Sequence, residues 1–392
     1  MNVTRRHFMG GVAGLATYGA FGGGQVFAAA QKPSSPLTIT IVDVAGNLAL
    51  TQGAFDAYAA AKPDFVSRFA YTKAPSPELP AKIQAQQAAK RVDLDLVLTG
   101  TDALSAGLGL GLWVDLKPHM SELPKLEDIL LPQALKMQGL AKDQGIIVTY
   151  YPSGPLIEYM PDAVKTVPTT TQELLDWAKA NPNKFIYARP ANSGPGRTFL
   201  MGLPYLLGDK DPMDPEKGWD KTWEYLAELG KNIEYYPTGT TPTMKELGEG
   251  TRSMIASTTG WDINPRALGI VPKEAKVATL KGFHWVTDAH YMCVPKGVSD
   301  EKLAVLLDVM NFVLEPKQQA IAYDQGYFYP GPAVKDVPIS MAPQASQDCI
   351  KEFGRPEYAD WIANNPLELP LEPQQMVKAF NIWDQKIGAA KG

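Results

Sequence analysis

Leu37-Thr38-Ile39-Thr40-Ile41-Val42 alternates large apolar side chains with threonine, and Asp43-Val44-Ala45-Gly46-Asn47 interrupts it before Leu48 to Ala61. The period of two predicts a strand, and the polar, glycine-containing break predicts a loop that serves as a helix entry. Leu48 to Ala61 has a helical composition and stops before Pro63. Working outward, Pro80 to Arg91 reads as a second helix and Leu94-Asp95-Leu96-Val97-Leu98 as a buried strand. Ala103 to Trp113 follows as a further helix after Thr99-Gly100-Thr101-Asp102. A β-α-β-α order of this kind favours a mostly parallel sheet with helices on both faces.

Beyond this region the same alternation continues. Gly145 to Tyr151 and Pro155 to Met160 read as strands, Thr170 to Ala180 as a helix, and Phe185 to Ala188 as a short strand. Thr198 to Leu207 and Trp219 to Lys231 are expected helices, and Met254 to Thr258 a strand ending at Gly260-Trp261-Asp262. Tyr291 to Pro295 is a strand leading into Ser299-Asp300-Glu301, a strong helix start. Lys302 to Gln325 then reads as a helical stretch broken at Pro316, and Gln344 to Phe353 and Pro373 to Ile387 close the chain. The expected fold is α/β and two-lobed. Residues 31–154 with 289–332 form lobe 1, residues 155–288 with 333–392 form lobe 2, and the ligand cleft lies between them. Ligands of open α/β sheets sit outside the carboxyl ends of strands, and in a two-lobed body those ends face one another.

Composition narrows the function. The 392 residues are 45% hydrophobic, enough for large cores, and 34 glycines and 33 prolines suit many short loops. The formal charge is -5, or -7 without Arg5 and Arg6, which argues against nucleic acid or an anionic membrane as partner. Cys293 and Cys349 are the only cysteines, too few for a structural zinc site, and His7, His119, His284 and His290 lack metal-site spacing. No metal and no cofactor is expected.

The first thirty residues read as an address. Arg5-Arg6-His7-Phe8 precedes an uncharged run from Gly10 to Phe27, and Ala28-Ala29-Ala30 offers a cleavage site. The paired arginines resemble a twin-arginine export signal. Cleavage near Ala30 would place the mature protein in the periplasm. The run holds seven glycines, which makes it a poor spanning helix.

Three passages resemble the bacterial extracellular solute-binding family, in particular its spermidine/putrescine-type and related branches. The first is the export signal followed by the strand, loop and helix of Thr38 to Ala61. The second is Leu94 to Leu116, ending Gly111-Leu112-Trp113-Val114-Asp115-Leu116. The third runs from Tyr291 through Val294-Pro295-Lys296-Gly297, Asn311-Phe312-Val313-Leu314, Pro316, Gln318-Gln319-Ala320 and Gly326-Tyr327 to Pro330. The resemblance implies a two-lobed periplasmic-binding fold, type II-like, that closes on a ligand. It also implies delivery to an ABC permease with its ATPase, and a monomer is expected.

Candidate ligand residues follow from chemistry and from this resemblance. Gly260-Trp261-Asp262 and Gly282-Phe283-His284-Trp285-Val286-Thr287-Asp288 resemble passages of the polyamine branch, in which a tryptophan and a nearby acid bind an amine chain. An alkylammonium needs a carboxylate, and its charge and methylenes suit aromatic faces. Trp261, Asp262, Trp285, Asp288, Tyr150 and Tyr151 supply both, although each aromatic can equally be core packing. Arg189-Pro190-Ala191-Asn192-Ser193-Gly194-Pro195-Gly196-Arg197 follows a strand and opens a helix. Asn192, Ser193 and Arg197 there suit an anion at a helix N-terminus, or belong to an ordinary loop. Asn47, Thr101, Asp102 and Tyr327 come from other strand-end loops. Together the two constellations point to a polyamine-like or zwitterionic solute. The alternatives are an exported hydrolase working in the same cleft and a ligand sensor for a signalling receptor. No Gly-x-Ser-x-Gly elbow supports the hydrolase.

Overall fold

The computed structural model describes residues 31–74 and 78–391, so the proposed export signal lies outside the described residues. Eleven strands form two sheets. The larger contains β1 (Leu37–Asp43), β2 (Val66–Lys73), β3 (Leu96–Gly100), β4 (Ile146–Gly154), β9 (Trp285–Cys293), β10 (Gly331–Pro332) and β11 (Leu367–Glu368). Its order is β10-β4-β9-β3-β1-β2, with β11 beside the start of β9. The smaller sheet has the order β6-β7-β5-β8, from β5 (Leu156–Tyr159), β6 (Phe185–Ile186), β7 (Met254–Ser257) and β8 (Lys276–Ala278).

The α/β, two-lobed expectation holds, but the sheets are mixed rather than mostly parallel. β2, β1 and β3 run parallel, joined by crossover helices; the sequence predicts β1 and β3 with the helices between them, but not β2. β9 then pairs antiparallel with both β3 and β4, and β10 antiparallel with β4. The reason is connectivity. β4 runs out of the large sheet and continues through Pro155 into β5 of the small one. β9 brings the chain back beside β4 in the opposite direction, so the two linking strands must be antiparallel neighbours. Both are buried along their whole length, as strands covered on both faces should be.

Each sheet organises its own core. One cluster of buried side chains spans Ile39 to Tyr150 and Ala289 to Ala342, and includes Ile41, Leu98, Ile147, Tyr291 and Met310. A second spans Ile157 to Val286 and takes in Leu371, Met376, Ala379, Trp383 and Ile387 of the C-terminal segment. Ala333, Val334 and Ala342 therefore pack with the first core, although the sequence assigns them to the second lobe. The second core is built around the helix Gly194–Leu207, whose residues Pro195 to Pro204 are all buried. It starts four residues earlier than composition predicts. The Ser193 hydroxyl accepts the Gly196 N–H at 3.3 Å as an N-cap, and Pro195 occupies the first turn, where a missing N–H costs nothing. Cys293 and Cys349 are both free thiols.

Candidate functional site

A cleft of about 450 Å³ opens between the two sheets. Its walls are mainly the starts of helices. From the first lobe come Val44 and Ala45, just ahead of the helix Leu48–Ala61, Glu78 at the start of Leu79–Ala88, and Gly100 and Asp102 at the start of Thr101–Gly109. From the second come Ser193, Gly194 and Arg197 of Gly194–Leu207, Thr240 of Thr240–Gly248, and Trp261 of Thr259–Ala267. A helix N-terminus carries unpaired N–H groups and about half a positive charge. The two lobes treat these ends differently.

In the first lobe carboxylates already sit on them. Asp43 accepts the N–H groups of Ala45, Asn47 and Leu48 at 3.1, 2.9 and 3.1 Å. Asp102 stands in the first turn of its helix and Glu78 at the N-cap of its own. In the second lobe the helices Gly194–Leu207 and Thr240–Gly248 have no acid in their first turns, and Ser193 joins their starts through its hydroxyl, 2.7 Å from that of Thr240. The one acid in the first turn of Thr259–Ala267, Asp262, turns away from the cleft. One wall is thus acidic, and the other presents helix starts with no acid turned toward the cleft.

Beneath the cleft lies a hydrogen-bonded floor. Asp288 of β9 accepts from Thr101 Oγ1 at 3.0 Å, Tyr151 OH at 2.9 Å and Arg197 Nη2 at 2.5 Å. Arg197 Nη1 also lies 3.6 Å from Asp102, so this one guanidinium ties the second lobe to the first. Burial alone would raise the Asp288 carboxyl, but the Arg197 charge and hydrogen bond hold it below the usual aspartate range. Burial works against the Arg197 charge too, and Asp288 and Asp102 more than restore it. His290, two residues along β9, is buried and held neutral. Burial lowers its pKa more than Asp288, Asp43 and Asp102 raise it. Its Nδ1 is 2.9 Å from Asn47 Nδ2, and Asn47 Oδ1 accepts from Thr51 at 2.8 Å. That donor pattern places the His290 proton on Nε2.

Aromatic rings close the back of the cleft. Tyr327 lies 5.1 Å from Trp261, centroid to centroid, at 76°. Phe328 packs between Tyr151 at 4.9 Å and His290 at 4.4 Å. The segment reaches both lobes. The Tyr327 hydroxyl occupies the space a side chain at Gly46 would need, and Phe328 lies on Gly260. Glycine at 46 also supplies its positive φ of 78°.

Among the sequence-derived candidates, Asp102, Tyr151, Asn192, Ser193, Arg197, Trp261 and Tyr327 line the cleft. Asn47, Thr101 and Asp288 lie directly behind it and hold lining residues by the bonds above. Three fall elsewhere. Tyr150 is in the core of the first lobe, on the opposite face of β4 from Tyr151. Trp285 packs with Leu156, Phe283 and Tyr358, and its indole N–H bonds the Trp361 carbonyl at 3.1 Å. Asp262 is fully buried among Arg266, Arg355 and Tyr358. Glu78, Thr238, Thr240, His290 and Phe328 line the cleft without having been singled out as ligand residues. Thr240 carries a signal in the sequence, since Thr238-Gly239-Thr240 can open a helix, as it does for Thr240–Gly248.

Among the described residues no cluster of potential metal ligands occurs, and no helix is long and apolar enough to cross a membrane. Two α/β lobes with a polar cleft at their facing helix starts define a protein built to enclose a small molecule. The chain belongs to the bacterial extracellular solute-binding protein family, whose model matches residues 53–348. Solved structures share the fold at low identity. The periplasmic binding protein AfuA of Actinobacillus pleuropneumoniae, with fructose-6-phosphate bound, matches with a TM-score of 0.64 at 16% identity, covering 89% of this chain and 98% of that one. The spermidine/putrescine ABC-transporter substrate-binding protein PotD of Streptococcus pneumoniae matches at 0.62 and 13%, covering 89% and 98%. A ferric binding protein of Campylobacter jejuni matches at 0.62 and 15%, covering 89% and 99%. No curated protein gives a significant sequence match.

Proposed function

We propose that this protein is the substrate-binding component of an ABC importer, exported to the periplasm by a twin-arginine signal. It captures a small zwitterionic organic solute between its lobes and yields it unaltered to a permease and its ATPase. The neighbours' printed ligands span a polyamine, a sugar phosphate and ferric iron, so the fold leaves the ligand open and the cleft must supply the argument. The observation that carries the reading is the charge asymmetry of the cleft. Glu78 on the first lobe suits a cationic group, Asp102 on the same wall adds negative charge although it also faces Arg197 at 3.6 Å, and Trp261 and Tyr327 line the same cleft and can stack on the cation. The helix starts at Ser193, Gly239 and Thr258 on the second suit a carboxylate or phosphate. A polyamine has cations at both ends and fits only one wall. Asp288, the acid nearest in sequence to the polyamine pattern, is already paired with Arg197.

Thermal unfolding with a ligand panel tests this. Zwitterions such as amino acids and betaines should raise the melting temperature, by about 2.7 kcal/mol of stabilisation at about 100 times Kd. Putrescine, spermidine and simple dianions should produce smaller shifts. A largest shift with spermidine would overturn the reading.

A further inference from the structure

A second space lies beside the cleft along the same interlobe seam. Glu78, Asp102 and Asn192 line the cleft; Pro80, Ala103 and Ala191, each one or two residues away, line a hollow of about 130 Å³, and Asp102 belongs to both. The far wall is the helix Pro373–Lys386, through Met376, Val377 and Phe380. We propose that this hollow is an apolar annex of the ligand site, taking a short hydrocarbon tail of the solute whose charged head lies in the cleft. The proposal rests on the zwitterion reading above.

Five observations support it. Asp102 lines both the cleft and the annex, which places the two spaces against each other at that residue. The annex surface is hydrocarbon apart from Asp102 at the mouth and Ser105, whose hydroxyl is spent on the Thr101 carbonyl. Alanines at 103, 106 and 191 leave open the volume that longer side chains would fill, close to that of a cavity that holds benzene, about 150 Å³. Both lobes contribute to it, so closing on the head also encloses the tail. Val377 stands 42% exposed on this face, while its helix neighbours Met376, Ala379 and Trp383 are buried in the second core.

Calorimetric titration of the mature protein with glycine, alanine, 2-aminobutanoate, norvaline and norleucine tests the proposal, because the head is constant and only the tail grows. Affinity should rise about fourfold per added methylene and level off once the annex is full. Ala106→Leu, which fills the annex from a half-buried position, and Val377→Asp, which makes its rim polar, should leave glycine binding unchanged and abolish the gain with chain length. Glycine binding with a flat series, or a gain that survives both substitutions, would overturn the annex. Failure of glycine and every homologue to bind would instead overturn the zwitterion reading beneath it.

Discussion

Replacing Asp262 with alanine is expected to cost about 3–5 kcal/mol in urea unfolding, the range for removing one partner of a buried ionic group. Asp262 is the shared acceptor for two guanidinium groups. Its Oδ1 takes Arg266 Nε at 3.1 Å and Arg355 Nη2 at 2.7 Å, and its Oδ2 takes Arg355 Nε at 2.9 Å and Tyr358 OH at 2.7 Å. Both arginines are largely buried, so without the acid two charges lose their counter-ion where water cannot replace it. Glu158 lies in the same interior with neither carboxyl oxygen hydrogen-bonded. Burial, then the Asp262 charge, pushes its pKa well up and keeps it protonated. Once Asp262 is gone, Glu158 becomes the nearest acid able to ionise against the arginines. Glu158→Gln should therefore cost more in the Asp262→Ala background than in the wild type. Because Asp262 follows Trp261 on one helix, ligand affinity should fall as well. A loss below about 1 kcal/mol would show that the guanidinium groups do not depend on this carboxylate.

The second large effect is expected at Arg197, where the sign of a pH dependence should invert. In the wild type Asp288 titrates below its unperturbed 3.8. Its ion pair therefore contributes stability above that value, and loses it as pH falls through the depressed folded pKa. In Arg197→Ala the carboxylate stays buried without its cation, burial then governs, and the folded pKa rises above the unfolded one. The contribution of Asp288 should then be present at low pH and lost as pH rises. At about pH 7 the variant should be less stable by about 3 kcal/mol or more. Urea midpoints between about pH 3 and pH 8 check this, with Arg197→Ala/Asp288→Asn as the control that should remove the inverted slope. An unchanged slope in Arg197→Ala would mean that the remaining donors, Thr101, Tyr151 and the Ala289 N–H, keep Asp288 charged without the arginine.

The three candidates that miss the cleft show where sequence reading stops. Each lies within three residues of one that does reach it or lies behind it. Tyr150 and Tyr151 are neighbours on β4, and a strand sends neighbours to opposite faces. Trp285 and Asp288 are three apart on β9, again opposite faces, but the sequence pattern predicts a strand only from Tyr291. Trp261 and Asp262 are successive on a helix and diverge by about 100°. The helix was not anticipated, because Gly260 and Pro265 argue against one. The first crossover was legible because its alternation and punctuation agree: the helix Leu48–Ala61 has the predicted ends. β2 was not, because an edge strand that carries Arg68 and Lys73 mixes charge into its pattern. The polarity of the cleft lay beyond sequence altogether, since it depends on which helix starts converge in space.

Two half-shells closing over one charged guest, and parting with it intact, can be checked by weighing the complex. Native mass spectrometry of the mature protein after incubation with periplasmic extract should show a single small-molecule adduct per chain, and denaturation should release a zwitterion of the same mass as the free molecule in the extract. An adduct-free protein, or a released species chemically different from the one taken up, would contradict the account.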